Sequence, residues 1–148
     1  MCEVYIDGAS RGNPGPAGVG AVFLDGRAKP VRQFSKYIGQ TTNNVAEYLA
    51  LIYALQEALR AGYAAVTVKT DSELLARQIS GRYKVRHEQL RLFHDLATHL
   101  MQGFASCAVE HVPREQNTLA DRLAGRAADS KGRSPASSSL TSAASAGG

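Results

Sequence analysis

The chain contains 148 residues, of which 44% are hydrophobic and 20% are charged, so it is long enough for one domain with a buried core and hardly long enough for two. Its formal net charge of +4 permits an anionic partner but does not require one. The longest unbroken run of apolar residues, 48–55, has eight members, which excludes a transmembrane helix.

The predicted secondary structure begins with a strand at 2–7, where Val4 and Ile6 face one side and Tyr5 and Asp7 face the other. A glycine- and proline-rich stretch follows and predicts a turn. The later elements are strands at 19–24, 31–38, 65–70 and 106–112 and helices at 43–61, 72–80, 87–101 and 117–128. Because the later strands are joined through helices, the pattern predicts an α/β fold with a mixed five-stranded sheet, antiparallel and then parallel, flanked by helices.

The composition changes near Asp129. The segment 129–148 is rich in Ser, Ala and Gly and contains one large apolar residue, Leu140, so it cannot bury enough surface to offset its chain entropy. We therefore predict a domain at 1–128 followed by a disordered tail at 129–148. We expect that truncation after Ala128 leaves the activity unaffected.

Four carboxylates each have an ordinary structural explanation. Asp7 begins a turn-forming Asp-Gly pair. Glu47 lies three residues after Asn44 and fits a capping box, yet it is embedded in an apolar helix, where a carboxylate is costly without compensation. Asp71 fits an ordinary N-cap, and Asp121 fits a solvated surface acid.

Considered together, the same four acids predict a metal site. If the strands carrying Asp7 and Asp71 are neighbours, both acids lie at one edge of the sheet, and the helix starts carrying Glu47 and Asp121 reach the same place. Carboxylates so close repel one another unless cations lie among them. Oxygen ligands suit Mg²⁺ or Mn²⁺ rather than zinc, and two such ions about 3.5–4 Å apart are the usual clamp for attack on a phosphodiester.

Four motifs give the chain a resemblance to a known family. In chain order they are DGASRGNPGPAG at 7–18, TTNNVAEYLAL at 41–51, TDSELLARQISG at 70–81 and HVPREQNTLADRLA at 111–124. Together they make residues 1–128 resemble type 1 ribonuclease H, within the retroviral-integrase-like nuclease superfamily, and especially its short archaeal and bacterial members without a basic handle. The fold that this resemblance implies is ribonuclease H-like.

The resemblance implies a reaction and its ligands. The reaction is hydrolysis of the RNA strand of an RNA–DNA hybrid, leaving 5′-phosphate and 3′-hydroxyl ends. Asp7, Glu47, Asp71 and Asp121 match the family's catalytic metal ligands and would hold two Mg²⁺ ions, with Mn²⁺ as a substitute. One ion would lower the pKa of a bound water, and the other would neutralise charge on the leaving 3′-oxygen.

The resemblance also implies nucleic-acid contacts. Asn13, Asn43 and Asn44 match amides that contact groove edges and sugars, and an amide can both donate to and accept from the 2′-hydroxyl that distinguishes RNA from DNA. Thr41 matches a threonine that binds a phosphate of the DNA strand. The alternative is that Thr41 is an ordinary surface residue. Ser72 is a further candidate contact. Helix capping is the alternative for Asn43, Asn44 and Ser72.

The segment between the second and third helices is basic. It contains Arg82, Lys84 and Arg86, and Tyr83 lies between the first two. They fit a phosphate-binding edge for the DNA strand, or else a solvated helix face. Because the chain is too short for a full basic protrusion, we expect weak and strongly salt-dependent affinity for the hybrid.

The loop before Asp121 departs from the family pattern. Many members place a histidine there for proton transfer or product release, and this loop has none. Arg114 and Glu115 are the candidates to replace it. His111, at the end of a strand, is a third candidate and also fits an ordinary packing role.

Two other functions stay open. The fold could select double-stranded RNA or tRNA-like RNA, or serve as a non-catalytic nucleic-acid-binding module, although clustered carboxylates without metal weaken phosphate binding. We expect a monomer with no membrane partner. The chain begins without a basic and apolar leader, and Cys2 and Cys107 make neither a disulfide framework nor a zinc cluster, so a reducing cytoplasm is the expected setting.

Overall fold

The computed structural model describes residues 2–27 and 29–132, so most of the predicted tail lies outside the described residues. The described strands are β1 (Cys2–Ser10), β2 (Gly15–Leu24), β3 (Pro30–Thr41), β4 (Ala65–Thr70) and β5 (Ser106–His111). The described helices are α1 (Asn43–Arg60), α2 (Glu73–Ile79), α3 (Glu88–Met101) and α4 (Thr118–Ser130), with a short 3₁₀ turn (Arg114–Gln116) before α4. Within these ranges, no helix has both the length and the apolarity needed to cross a bilayer.

The strands form a five-stranded sheet in the order β3-β2-β1-β4-β5, which confirms the predicted α/β fold class. β2 pairs antiparallel with both β1 and β3, whereas β4 pairs parallel with both β1 and β5. The connections explain this change, because tight turns reverse the chain while helical crossovers return it in the same direction. β1 therefore lies at the centre of the sheet with one neighbour of each kind.

The first two strands are longer than predicted, and the turn assigned to most of the glycine-rich stretch was wrong. Gly8 lies within β1 and pairs with Val19 of β2. The reason is the close approach of helices: a Cβ on Gly8 would lie 2.3 Å from the backbone of Ala46 in α1, and one on Gly18, at the other end of the stretch, would lie 2.6 Å from the carbonyl oxygen of Ala124 in α4. Gly20, further along β2, contacts the backbone of α4 in the same way. These glycines are therefore packing residues inside strands.

The hydrophobic core lies between the sheet and α1, and α4 covers the opposite face over β1, β2 and β3. Tyr48, Leu51 and Leu55 of α1 are among the largest fully buried side chains. On the other face, the Oγ of Ser35 in β3 donates to the carbonyl oxygen of Leu123 in α4 at 2.7 Å. The two helices thus hold the central strands from both sides.

Helix α4 continues past the predicted end at Ala128. It ends at Ser130, and Asp129 forms an ion pair with Arg11 in the β1–β2 turn, with 2.7 Å between Nε and Oδ1. The Arg11 guanidinium also lies over Gly125, where a Cβ would come 2.7 Å from Nη2. We therefore propose that the domain extends beyond 128 to include the last turn of α4.

A chain ending at Gly132 is expected to keep the thermal stability of the full chain, whereas one ending at Ala128 is expected to unfold about 2–5 °C lower. The shorter chain loses the Arg11–Asp129 ion pair and the last helical hydrogen bonds, and an exposed ion pair contributes about 0–1 kcal/mol. Thermal unfolding followed by circular dichroism measures the difference, with full-length Arg11→Ala as the control for the ion pair alone. Identical unfolding temperatures for the two truncated chains would contradict the extended boundary.

Candidate functional site

Three carboxylates converge where β1 and β4 run side by side. Asp7 lies in β1, Asp71 directly follows β4, and Glu47 lies near the start of α1. Each offers an oxygen within 4.8 Å of the other two. The parallel pairing brings the aspartates together, because Ile6 is opposite Thr70 and the two acids come next along each strand.

Glu47 belongs to this carboxylate cluster, and its explanation as part of a capping box is wrong. The N-cap of α1 is Thr42, whose hydroxyl oxygen accepts a hydrogen bond from the backbone N–H of Val45 at 3.3 Å. The buried Glu47 carboxylate instead accepts a hydrogen bond from the backbone N–H of Gly8 at 3.0 Å. This bond fastens the helix carboxylate to the strand that carries Asp7.

Asp71 is likewise not a helix cap. Ser72 caps α2, and its Oγ accepts a hydrogen bond from the backbone N–H of Leu75 at 3.1 Å, which confirms the capping alternative for Ser72. The backbone N–H of Ser72 donates to the Thr70 hydroxyl at 3.0 Å. These two bonds fix the short turn that presents the Asp71 carboxylate to the cluster.

Asp121 approaches the cluster from the first turn of α4. Its carboxyl is in hydrogen-bonding reach of Asp7, and this contact is one cause of the raised pKa of Asp7. The residue is half-buried, so the description as a solvated surface acid is wrong. It lies outside the group of three whose oxygens are mutually within 4.8 Å.

The clustered carboxyls are difficult to ionise without a cation. Burial raises the pKa of Asp7 to about 10, and the charges of Glu47 and Asp71 add to that shift. Burial also raises the pKa of Glu47 to about 8, helped by the charge of Asp71, while the Gly8 hydrogen bond and the charge of Arg114 act in the opposite direction. A donor set made of carboxylate oxygens fits a hard divalent cation, whose charge would offset the repulsion.

The amides expected to contact nucleic acid lie at the start of α1 and in the β1–β2 turn. The Asn13 Oδ1 accepts a hydrogen bond from the backbone N–H of Asn43 at 3.0 Å, which ties these two segments together. Asn43 and Asn44 are exposed, and capping by either is wrong because Thr42 is the N-cap. Thr41 ends β3 and is half-buried.

The basic segment, Arg82, Lys84 and Arg86, lies in the connection between α2 and α3. All three side chains are exposed, and within the described part of the chain none of them forms an ion pair. Tyr83 is 48% exposed, and the guanidinium carbon of Arg77 lies 5.5 Å from its ring centre. The segment therefore presents three positive charges to solvent.

The three residues considered as replacements for the loop histidine have different surroundings. Arg114 begins the 3₁₀ turn, and its charge lowers the pKa of Glu47, which puts it in electrostatic contact with the cluster. Glu115 is exposed in the same turn. His111 ends β5 and is exposed. Of these three residues, Arg114 is thus the one whose charge lowers the pKa of a carboxyl in the cluster.

Asn117 was missed by the sequence analysis. Its side chain is 1% exposed, and its Nδ2 donates to the carbonyl oxygen of Ile6 at 2.8 Å. An asparagine directly before a helix is typical of an N-cap, yet this side chain makes no capping hydrogen bond. The signal that could have found it is its spacing of four residues from Asp121, which places both on one face of the helix start.

Comparisons with known proteins agree with this arrangement. A family model described as reverse transcriptase-like matches residues 5–127. A bifunctional protein of Mycobacterium tuberculosis is 46% identical over 134 residues, which are 90% of this chain. Ribonuclease HI of Halobacterium salinarum is 43% identical over 127 residues, and a crystal structure of RNase H1 from this archaeon has a TM-score of 0.85 at 42% identity, covering 86% of this chain and 97% of that one.

A further solved structure, LC11-RNase H1 in complex with an RNA/DNA hybrid, has a TM-score of 0.83 at 41% identity and covers 87% of this chain and 97% of that one. Both of the curated relatives named here are longer than this chain. This chain spans 37% of the length of the mycobacterial relative and 64% of the length of the Halobacterium one.

Proposed function

The chain belongs to the type 1 ribonuclease H family, and from this we propose that it hydrolyses the RNA strand of RNA–DNA hybrids by two-metal-ion catalysis, leaving 5′-phosphate and 3′-hydroxyl ends. The observation that carries the proposal is the cluster of Asp7, Glu47 and Asp71, whose oxygens lie within 4.8 Å of one another, with Asp121 beside them. The complex of LC11-RNase H1 with an RNA/DNA hybrid supports this choice of substrate.

The carboxylates are proposed to hold two Mg²⁺ ions, or Mn²⁺ in their place. When bound, the two cations lower the pKa of the attacking water and neutralise charge on the leaving 3′-oxygen. The chain itself fixes the ligands, because the Gly8 N–H holds the Glu47 carboxylate and the pairing of β1 with β4 holds Asp7 beside Asp71. Ligands held in this way need little rearrangement during the reaction.

The exposed amides of Asn13, Asn43 and Asn44 are proposed to contact the hybrid near the cut. The hydrogen bond between Asn13 and Asn43 keeps two of these residues in a fixed relation. An amide both donates to and accepts from a 2′-hydroxyl, and this group distinguishes the RNA strand. Thr41 ends β3 and Ser72 precedes α2, and their hydroxyls are proposed to donate to backbone phosphates.

Arg114 is proposed to take the place of the loop histidine. This assignment rests on its charge, which acts on Glu47 and would attract an anionic product phosphate. A guanidinium stays protonated, so we assign it to product release rather than to proton transfer. Glu115, in the same turn, and His111, at the end of β5, are the proton-transfer candidates.

Removing two charges from the basic segment, Arg82→Ala with Lys84→Ala, is expected to raise KM for the hybrid about 5–30-fold at about 0.1 M salt and to leave kcat unchanged. Phosphate contacts position the duplex and take no part in bond cleavage, so their loss weakens binding and raises KM without lowering kcat. The slope of log KM against log salt is expected to shrink by about 1–2. Steady-state cleavage at several salt concentrations measures both quantities.

The matched control is Arg27→Ala with Lys29→Ala. It removes the same charge from the β2–β3 turn, at the other end of β1 from Asp7. An equal rise in KM for both pairs would mean that net charge alone matters, and it would count against a binding edge at the basic segment.

The test of the proposed function is cleavage of matched hybrid, double-stranded RNA and RNA-primed junction substrates with Mg²⁺, with Mn²⁺ and with a chelator. The hybrid is expected to be cut in its RNA strand only with a cation, and cleavage in chelator would overturn the metal mechanism. Preferential cutting of double-stranded RNA would identify that duplex as the substrate instead, and binding without cutting would indicate a nucleic-acid-binding module.

In the same cleavage assay, Arg114→Ala is expected to lower kcat more than Arg114→Lys does.

The protein is further proposed to act as a monomer in the cytoplasm. The four acids all come from one chain, so the cluster needs no second copy. Both cysteines are free thiols, and burial raises the pKa of the Cys107 thiol to about 11, which keeps it protonated. Free thiols are typical of a reducing compartment. Size-exclusion chromatography with light scattering measures the oligomeric state.

A further inference from the structure

Asn117 connects three parts of the site. Its Nδ2 donates to the carbonyl oxygen of Ile6, the residue before Asp7, at 2.8 Å. Its backbone carbonyl accepts a hydrogen bond from the N–H of Asp121 at 3.0 Å, and its backbone N–H donates to the carbonyl of Arg114 at 2.9 Å. One buried residue therefore links the strand that carries Asp7 to the helix turn that carries Asp121.

The chemistry at this position calls for a neutral amide. The Ile6 carbonyl needs a donor, which an ionised aspartate cannot supply, and a cationic donor would alter the charge balance among the acids. Capping does not account for Asn117, because its side chain makes no capping hydrogen bond with α4. Its Oδ1 is buried and has no hydrogen-bond partner among the described residues, a costly arrangement that a purely structural role explains poorly.

We propose that Asn117 is a positioning residue for the cation site: it holds Asp121 against Asp7 and thereby sets the cation affinity. The inference rests on the proposed function, since it requires the carboxylates to bind divalent cations. Groups that orient metal ligands without touching the ion typically change metal affinity about 10–100-fold when they are removed. The unpaired Oδ1 is available to a water molecule that enters with a hydrated cation.

The test is Mn²⁺ binding to the full chain, measured by titration calorimetry without nucleic acid. Asn117→Ala is expected to weaken binding about 10–100-fold. In hybrid cleavage, the same variant is expected to need a correspondingly higher Mg²⁺ concentration for half-maximal kcat, while KM for the hybrid at saturating Mg²⁺ stays unchanged. A variant that merely failed to fold would not recover its kcat at high Mg²⁺, so this recovery distinguishes weaker cation binding from a loss of fold.

Ser35→Ala is the matched control. Like Asn117, Ser35 is a buried side chain that donates to a backbone carbonyl and joins the sheet to the α4 region, but it lies on β3, two strands from Asp7. It is expected to lower the unfolding temperature without changing the Mn²⁺ affinity. Parental affinity in Asn117→Ala, or equal weakening in both variants, would overturn the proposal.

Asn117→Ser replaces the alanine variant if the latter does not fold. The serine hydroxyl is too short to reach Ile6, so the same weakening is expected, and unchanged affinity would again overturn the proposal. Failure of the proposed function would look different. In that case the parent protein would bind no Mn²⁺, or Asp7→Asn would bind it as tightly as the parent, and both proposals would fall.

Discussion

Replacing Asp7 by asparagine is expected to lower kcat/KM for the hybrid by a factor of at least about 10³, or about 4 kcal/mol of transition-state stabilisation. Asp7 lies within 4.8 Å of Glu47 and Asp71 and in hydrogen-bonding reach of Asp121, so it joins all members of the cluster. Asparagine keeps its shape but not its charge. Hybrid binding is expected to be unchanged or tighter, because a negative charge facing the polyanion is removed.

The same variant is expected to be more stable than the parent without cations. Burial raises the pKa of Asp7 above its value in the unfolded chain, so the folded state resists ionisation. As the pH rises from about 4, the unfolded chain releases this proton first, and the parent loses stability until the pH passes the raised pKa. The advantage of Asp7→Asn is expected to be small near about pH 3 and about 1–3 kcal/mol near about pH 8, measured by unfolding in a chelator.

The control for Asp7→Asn is Asp95→Asn on the exposed face of α3. It makes the same chemical change away from the cluster, on the side of the basic segment, and is expected to leave both kcat and the pH dependence of stability unchanged. Added Mg²⁺ is expected to stabilise the parent and Asp95→Asn but not Asp7→Asn, because a ligand stabilises the state that binds it. Retention of more than about a tenth of the parental activity in Asp7→Asn would show that the cluster is not the catalytic centre.

Replacing Gly8 by alanine is expected to destabilise the fold by about 3–5 kcal/mol. The added Cβ would lie 2.3 Å from the carbonyl carbon of Ala46 and 2.5 Å from the nitrogen of Glu47, and backbone atoms cannot turn aside as a flexible side chain can. β1 and α1 must therefore separate, which also breaks the 3.0 Å hydrogen bond from the Gly8 N–H to the Glu47 carboxylate. Urea denaturation and hybrid cleavage are expected to show loss of stability and of activity together.

Gly26→Ala is the matched control for Gly8→Ala. Among the residues that the structure describes, none lies within 4 Å of a Cβ placed on Gly26, and this glycine is not among those with positive φ. Its free energy of unfolding is expected to stay within about 0.5 kcal/mol of the parent value. A Gly8→Ala variant that folds and cleaves like the parent would contradict the close contact between β1 and α1.

Most elements, and the meeting of the acids, could be predicted because they depend on local patterns and general rules of topology. The alternation in β1 and the apolar pattern of α1 identify these elements without knowledge of their neighbours. Asp7 and Asp71 could be brought together on the condition that their strands are parallel neighbours, because such strands end at the same edge of a sheet. No contact between particular side chains was needed for either step.

The features that could not be predicted depend on partners distant in the sequence. Gly8 is typical of a turn when read locally, but its actual constraint is the backbone of α1. Asn117 is typical of a cap, but its partner Ile6 lies 111 residues away. Thr42 and Asn44 are both suitable caps for α1, and the backbone geometry at Thr42 decides between them.

Of the elements described above, α4 is synthesised last, and it covers the strands that are synthesised first. A nascent chain that has emerged as far as β5 already contains Asp7, Glu47 and Asp71, but it lacks the helix that packs on Gly20 and supplies Asp121. Because small domains fold cooperatively, the central strands keep one face open until α4 leaves the ribosome. The proposed cleavage of hybrids therefore begins only after α4 has been translated and packed, because a nascent chain that ends at β5 lacks one of the four acids.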